Sequence, residues 1–339
     1  MTNWKKIGLG VLLAMFVLFL AACGSNEDSS ADDSNNAEET TDDASNGSSE
    51  EGSDDSDEPI QVLTTIAQIG EPLSVIGGDH VEVETLMGPS VDPHLYNPTE
   101  SDINKVNDAE MVFYSGLHLE AQMEEMLQSI ASEKPVLALG DSVPEDQLLE
   151  DEEGAIDPHI WFDIDLWQQG LESAVEELKE YAPEHADEFD ANMEEYAAQL
   201  DEVRTEAEIL QDIPEDQRVL VTAHDAFGYF GNTHDMEVVG LQGISTESEA
   251  GVSDITDTVE LIEEYQVPAI FVESSVNQDT INAVIEGAKE NGLDVSIGGE
   301  LYSDAMGEEG TEEGTYIGMY KYNVNTIHDA LTGGGNDSE

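Results

Sequence analysis

The chain has 339 residues, with 78 Asp and Glu against 9 Lys and Arg and a formal net charge of −69. That length accommodates roughly two to three domains, and 39% hydrophobic residues supply the apolar material for their cores. So one-sided a charge excludes nucleic acid and anionic membrane surfaces as electrostatic partners and leaves cations as the natural counterpart; a single cysteine excludes internal disulfides and any multi-thiolate zinc site.

At the start of the chain Lys5-Lys6 precede an apolar run from Ile7 to Ala22, closed by Leu20-Ala21-Ala22-Cys23. The run is shorter than the roughly 18 residues of a spanning helix and carries the basic flank of a secretory signal. The closing residues resemble the lipobox of bacterial lipoproteins. Residues 1–22 therefore read as a signal peptide, and Cys23 as the acylated first residue that anchors the chain at the extracytoplasmic face of the cell membrane. Residues 24–58 hold 14 acids, no base and no aromatic side chain. Such a segment cannot bury enough surface to offset its ordering entropy, so 23–58 read as a lipid-anchored acidic disordered tether. The rest of the chain still carries 64 acids against 7 bases, a net of about −57. Its acidity is that of a solvated surface adapted to concentrated salt, where self-repulsion is screened.

From Pro59 onward short strands alternate with helices. Strands are expected at Ile60–Ala67, Met111–Ser115, Pro135–Leu139, Val219–Ala223, Val238–Gln242, Ala269–Glu273 and Val295–Gly298, with helices such as Thr256–Tyr265 and Asp279–Asn291 between them. This alternation predicts an α/β fold with parallel sheets. Residues 165–211 break the rhythm with two helical segments divided near Pro183. The second places Phe189, Met193, Tyr196, Ala197, Leu200, Val203, Ala207 and Leu210 at three- and four-residue spacing. About 27 residues of helix would run roughly 40 Å, a length suited to bracing two lobes.

Three histidines stand in loops beside apolar segments: His94 in Asp92-Pro93-His94-Leu95-Tyr96-Asn97-Pro98-Thr99, His159 in Asp157-Pro158-His159-Ile160-Trp161-Phe162-Asp163, and His224 directly after the strand Val219–Ala223. Ligands of open α/β sheets bind at the carboxyl ends of strands, which favours His224. The long separations between these residues match no local zinc motif. His94 and His159 share an Asp-Pro-His tripeptide, in which the fixed proline stiffens the approach and the Asp could hold the second imidazole nitrogen.

Pro93-His94-Leu95-Tyr96 with Pro98-Thr99-Glu100-Ser101-Asp102, Gly116-Leu117-His118-Leu119-Glu120, Asp157-Pro158-His159-Ile160-Trp161, His224-Asp225-Ala226-Phe227-Gly228-Tyr229 and Gly299-Glu300-Leu301-Tyr302-Ser303-Asp304-Ala305 occur in that order. With them the chain resembles the solute-binding lipoproteins of bacterial zinc and manganese ABC transporters, cluster A-I, across residues 60–331. The resemblance implies two α/β lobes, each with a parallel sheet flanked by helices, joined by a long backbone helix. It places one metal ion in the cleft between them, held by His94, His159, His224 and Asp304. The corresponding segments are an N-terminal lobe 59–183, a connecting helix 184–212 and a C-terminal lobe 213–339. Three imidazoles and one carboxylate suit Zn²⁺ that is bound rather than used catalytically, with Mn²⁺ as the alternative. The implied role is capture of the ion outside the membrane by a monomeric subunit and delivery to a separate permease driven by a cytoplasmic ATPase. No phosphate-binding Gly-Lys loop is present to make this chain the ATPase.

The chain departs from that family in two places. Asp141 to Asp157 is rich in Glu and Asp where many zinc-binding relatives have histidines, and Glu249-Ala250-Gly251 stands where Glu-Pro is common, which leaves the next helix start open. His118 belongs near the cleft rather than to the ligand set. Trp161 and Phe227 are expected to wall the site from water, and movement on binding is expected in the Asp304 or His159 loops. Two other readings are a zinc hydrolase, whose usual His-Glu-x-x-His helix is absent, and an adhesin, which would need an exposed apolar patch.

Overall fold

Two runs of alternating strand and helix, each with parallel strands, are joined in the chain by a pair of helices. The computed structural model describes residues 58–333 apart from Glu152 and Glu249; the expected signal peptide, Cys23 and all of the tether except Glu58 lie outside the described residues. Among the described residues no helix is long and apolar enough to cross a membrane.

The first run contains β1 (Ile60–Thr64), α1 (Ala67–Gly77), β2 (Val81–Thr85), α2 (Glu100–Asp108), β3 (Met111–Tyr114), α3 (Glu124–Ile130) and β4 (Val136–Ala138). Its four strands pair in parallel in the order β2-β1-β3-β4. The strand expected at Ile60–Ala67 stops at Thr64, because Ile66 becomes the extended N-cap of α1 and accepts the amides of Ile69 and Gly70. Strand β2 was not expected. Its alternating buried Val81 and exposed Glu82 and Glu84 are those of a sheet-edge strand with one face in water. The Thr99-Glu100-Ser101-Asp102 stretch is a capping box: Thr99 Oγ1 accepts from the Asp102 amide, and Asp102 Oδ2 accepts from the Thr99 amide at 2.8 Å and from Tyr96 Oη at 2.7 Å. The box therefore fastens the end of the His94 loop to the start of α2.

The central pair is α4 (Ile164–Tyr181), capped by the Asp163 side chain, and α5 (Ala186–Ala207). The helix expected over 184–212 is shorter. Pro183, which has no N–H to donate, opens a 3₁₀ turn through His185, and a second 3₁₀ turn, Glu208–Asp212, follows α5. The 22 residues of α5 span about 33 Å. They bury Phe189, Met193, Tyr196, Leu200, Val203 and Ala207, and Leu210 of the following turn is buried too.

The second run contains β5 (Val219–His224), α6 (Gly228–His234), β6 (Glu237–Gln242), α7 (Val252–Tyr265), β7 (Ala269–Glu273), α8 (Asp279–Glu290), β8 (Ser296–Leu301) and α9 (Tyr316–Thr332). Strands β5 and β6 pair in parallel, as do β7 and β8, and β5 lies against β7. Strand β8 runs past its expected end at Gly298, because the Gly298-Gly299 pair absorbs a register shift opposite Ile270 and Phe271. Helix α7 starts at Val252, four residues before the expected Thr256, where the Gly251 amide donates to Asp254 Oδ2 at 2.7 Å. Helix α5 packs against α1 of the first run and α9 of the second, so it touches both. One apolar core joins the first sheet to α1, α4, α5 and α9, and a second lies among β5, β6, β7, α7 and α8.

Few cations serve this body, and six of its seven are engaged. Lys105 stands 2.7 Å from Glu84, Lys179 2.6 Å from Asp190, Arg204 2.6 Å from Asp201, and Lys321 2.9 Å from Glu206. Lys134 donates to the carbonyls of Val106, Asn107 and Ala109 at the end of α2, and Arg218 donates to those of Gln211 and Ile213.

Candidate metal centre

The carboxyl ends of the parallel strands converge on four side chains. His224 is the last residue of β5, and Asp304 lies three residues beyond β8. His94 comes from the loop after β2, and His159 immediately precedes a 3₁₀ turn, Ile160–Phe162, that leads into α4. Their ligand atoms all lie within 4.8 Å of one another. His159 Nε2 is 3.3 Å from His94 Nε2, 3.4 Å from His224 Nε2 and 3.2 Å from Asp304 Oδ1. Asp304 Oδ2 is 3.3 Å from His224 Nε2 and 3.8 Å from His94 Nε2. All four residues are buried, none more than 2% exposed.

Two of the rings are aimed by carboxylates behind them. His159 donates its backbone amide and its Nδ1–H to Asp157 Oδ1 at 2.9 and 2.7 Å. His224 donates its amide to Glu273 Oε1 at 2.8 Å and its Nδ1–H to Glu273 Oε2 at 2.6 Å. A neutral ring that donates from Nδ1 turns its Nε2 lone pair inward, and such partners fix tautomer and orientation. Asp157 thus plays the part foreseen for the Asp of its tripeptide. Asp92 does not: its Oδ1 accepts the His94 amide at 2.9 Å, and it leaves the ring alone. Glu273 was not singled out from the sequence. The available signal was an acid ending an all-apolar strand at the same edge as His224, where a buried charge needs a partner.

Electrostatics separates the rings. Burial opposes charge on His159, but Asp157 and Asp304 outweigh it and carry the ring up to about 9. His224 is likewise raised well above its ordinary value, with burial opposed by Glu273 and Asp304. Burial dominates at His94, which falls to about 3 despite Asp304. Burial would raise Asp304, yet the neighbouring imidazoles hold it well below the usual carboxylate range. Neither oxygen of Asp304 has a hydrogen-bond partner although both are buried. A buried, unpartnered carboxylate facing three imidazole nitrogens is a cation's donor set.

The supports of Asp304 come from the other run of strands. The Ser303 carbonyl accepts from Gln68 Nε2 and from Trp161 Nε1, each at 3.2 Å. Trp161 also sets its ring edgewise to His159, with centroids 5.2 Å apart. Phe227 is buried but stacks on Phe162 at 4.5 Å rather than on a ligand. Close packing extends to the backbone: a Cβ at Gly240 would stand 2.3 Å from the Asp225 amide, so glycine lets β6 press against the residue after His224. Outside the four, a cavity of about 770 Å³ is lined by His94, His118, Asp151, Glu153 and the loop after β6. His118 faces this cavity beside Glu124, 3.0 Å away, and stays apart from the cluster.

Residues 62–330 match the family described as zinc-uptake complex component A, periplasmic. The chain is 49% identical over 278 residues to the manganese-binding lipoprotein MntA of Bacillus subtilis, covering 81% of this chain and 91% of that protein. It is 42% identical over 274 residues to the zinc-binding protein TroA of Treponema pallidum, covering 80% and 88%. The structure of the periplasmic zinc-binding protein TroA superimposes with a TM-score of 0.79 at 41% identity, covering 80% of this chain and 99% of that one.

Proposed function

The chain belongs to the zinc-uptake complex component A family, and on that premise we propose that it is the extracytoplasmic subunit of a metal ABC importer, a binding component and not an enzyme. It captures one divalent transition-metal ion with His94, His159, His224 and Asp304 and presents it to a separate permease, which a cytoplasmic ATPase drives. Residues 59–183 and 213–339 are its two lobes, 184–212 the connection, and Cys23 its lipid attachment. The observation that carries this reading is the buried Asp304 carboxylate, unpartnered and surrounded by three inward-facing imidazole nitrogens.

Zinc is the favoured ion. Ligand atoms about 2.0–2.1 Å from a tetrahedral ion stand roughly 3.3 Å apart, and His159 Nε2 keeps that spacing, 3.2–3.4 Å, from His94 Nε2, His224 Nε2 and Asp304 Oδ1. Nitrogen-rich sets also suit zinc better than manganese. Manganese is the second reading, supported by the 49% identity to a protein named for manganese binding. Competitive titration of the metal-stripped protein with Zn²⁺ and Mn²⁺ tests both. One equivalent of zinc that equimolar manganese does not displace is the expected result; manganese held against zinc would exchange the two readings, and no stoichiometric metal would overturn the function.

Metal affinity should climb with pH well beyond the imidazole range. Because His159 is raised to about 9 and His224 is raised with it, the metal-free site holds protons that an incoming ion must displace. For such raised groups the charged form stabilises the metal-free fold below the unfolded value of 6.5 and ceases to do so as pH rises through about 9. Affinity is therefore expected to rise by about tenfold per pH unit for each proton displaced, up to about pH 9. An unperturbed imidazole would set this window near pH 6; Asp157, Glu273 and Asp304 move it upward. Chelator competition at several pH values measures it, and an affinity flat above pH 7 would contradict the charged rings.

A further inference from the structure

The same tripeptide serves two ends. Asp157 fixes a ring, whereas Asp92 ties two distant segments together: its Oδ1 accepts the amides of His94 and Leu95 at 2.9 and 3.4 Å, and its Oδ2 accepts from Thr246 Oγ1 at 2.6 Å. Thr246 lies 154 residues further along, in the loop after β6, and is itself buried, 6% exposed.

The four ligand side chains are closed off from solvent, so an ion enters or leaves only if part of their surroundings moves. Three of them are held on more than one side. His159 and His224 each bond twice to a carboxylate, and the residue before Asp304 is held by both Gln68 and Trp161. His94 differs. Among the described residues no carboxylate takes its Nδ1, its contact with Asp304 is the longest of the three at 3.8 Å, and its loop from Leu86 to Thr99 contains neither helix nor strand. It is also the one ligand of the four that lines the outer cavity of about 770 Å³.

We infer that the Asp92–Thr246 hydrogen bond is a latch that holds the His94 loop down on the bound ion, and that its opening releases the metal into that cavity. This rests on the four side chains being the ligands. Motion then belongs to the His94 loop rather than to the Asp304 or His159 loops. Thr246 is a positioning residue: it touches no ion, and it sets how long His94 stays in place. The Gln122–Glu247 contact at 3.0 Å joins the neighbouring segments at the surface, where exposed pairs contribute little.

The test is the rate at which the full chain, loaded with one equivalent of Zn²⁺, gives it up to excess chelator. In T246V the hydroxyl is lost and shape is kept, so release should quicken by roughly threefold to tenfold, the range a single hydrogen bond commands. Stoichiometry should stay at one, and T246S should release at the native rate. If T246V does not fold, T246A gives the same comparison with a shortened side chain. A release rate unchanged in the variant, while the native chain binds one equivalent, overturns the latch and leaves the ligand set standing. Absence of bound zinc and manganese in the native chain overturns the ligand set instead.

Discussion

Replacing His159 with alanine should cost the protein its stoichiometric metal, with affinity falling by roughly a hundred- to a thousandfold. His159 is the hub of the cluster, within 3.4 Å of His94, His224 and Asp304 alike. Structural zinc sites hold their ion with about 10–16 kcal/mol shared over four ligands, so one ligand accounts for about 2.5–4 kcal/mol. The loss is compounded because Asp157, 3% exposed, loses the ring it held and retains only the backbone amide of residue 159. A gentler change separates holding from aiming: E273Q leaves all four donors in place and removes the carboxylate behind His224, and about a 10- to 100-fold loss is expected. Chelator competition reads both. H159A that binds as tightly as the native chain would show that the metal sits elsewhere.

Saturating metal should raise the thermal transition by roughly 10 °C, and H159A should show none of that gain. The four donors come from positions 94, 159, 224 and 304, so an ion at their centre cross-links segments that separate on unfolding. A ligand that binds the folded state alone stabilises it by about 4 kcal/mol at a thousand times its dissociation constant. In a body of this size each kcal/mol moves the transition by about 2–4 °C. The ion also gives the two buried oxygens of Asp304 a direct counter-charge at the centre of the cluster. Calorimetry with and without zinc measures the shift; coincident transitions would mean that the cluster does not hold the ion in the folded state.

Much of this site was legible from residues. His94 and His159 share a local context and His224 follows a strand, which makes the three candidates; their grouping with Asp304 as one ligand set comes from the resemblance. The structure brings the four together. The parallel α/β arrangement followed from the alternation of short apolar runs with helical ones. What escaped notice has physical reasons. Strand β2 is hidden in the sequence because Glu82 and Glu84 on its wet face make it look like solvated loop. In the sequence Glu273 is the end of a strand and nothing more, since its role depends on β7 lying beside β5. Asp92 and Asp157 sit in identical tripeptides, and their partners, Thr246 for one and the His159 ring for the other, distinguish their tasks. Gln68 supports Asp304 from 235 residues away, a relation that no local pattern records. Legibility ended where function depends on which distant segments meet.

The placement of the cations has a consequence for encounters in solution. Six of the seven basic side chains beyond the tether are committed to carboxylates or to backbone carbonyls of this same body. The outer surface is in effect a polyanion without its own counter-charges, and two such bodies repel at distances comparable to the Debye length. Electrostatic attraction to a protein that receives the ion is then supplied by that protein's lysines and arginines. Small divalent cations gather in the ionic atmosphere around the body, so metal capture at low salt begins from an enriched local concentration. Added monovalent salt dissolves that enrichment and slows arrival, while the grip of a buried set of donors, sealed from the same screening, is left as it was.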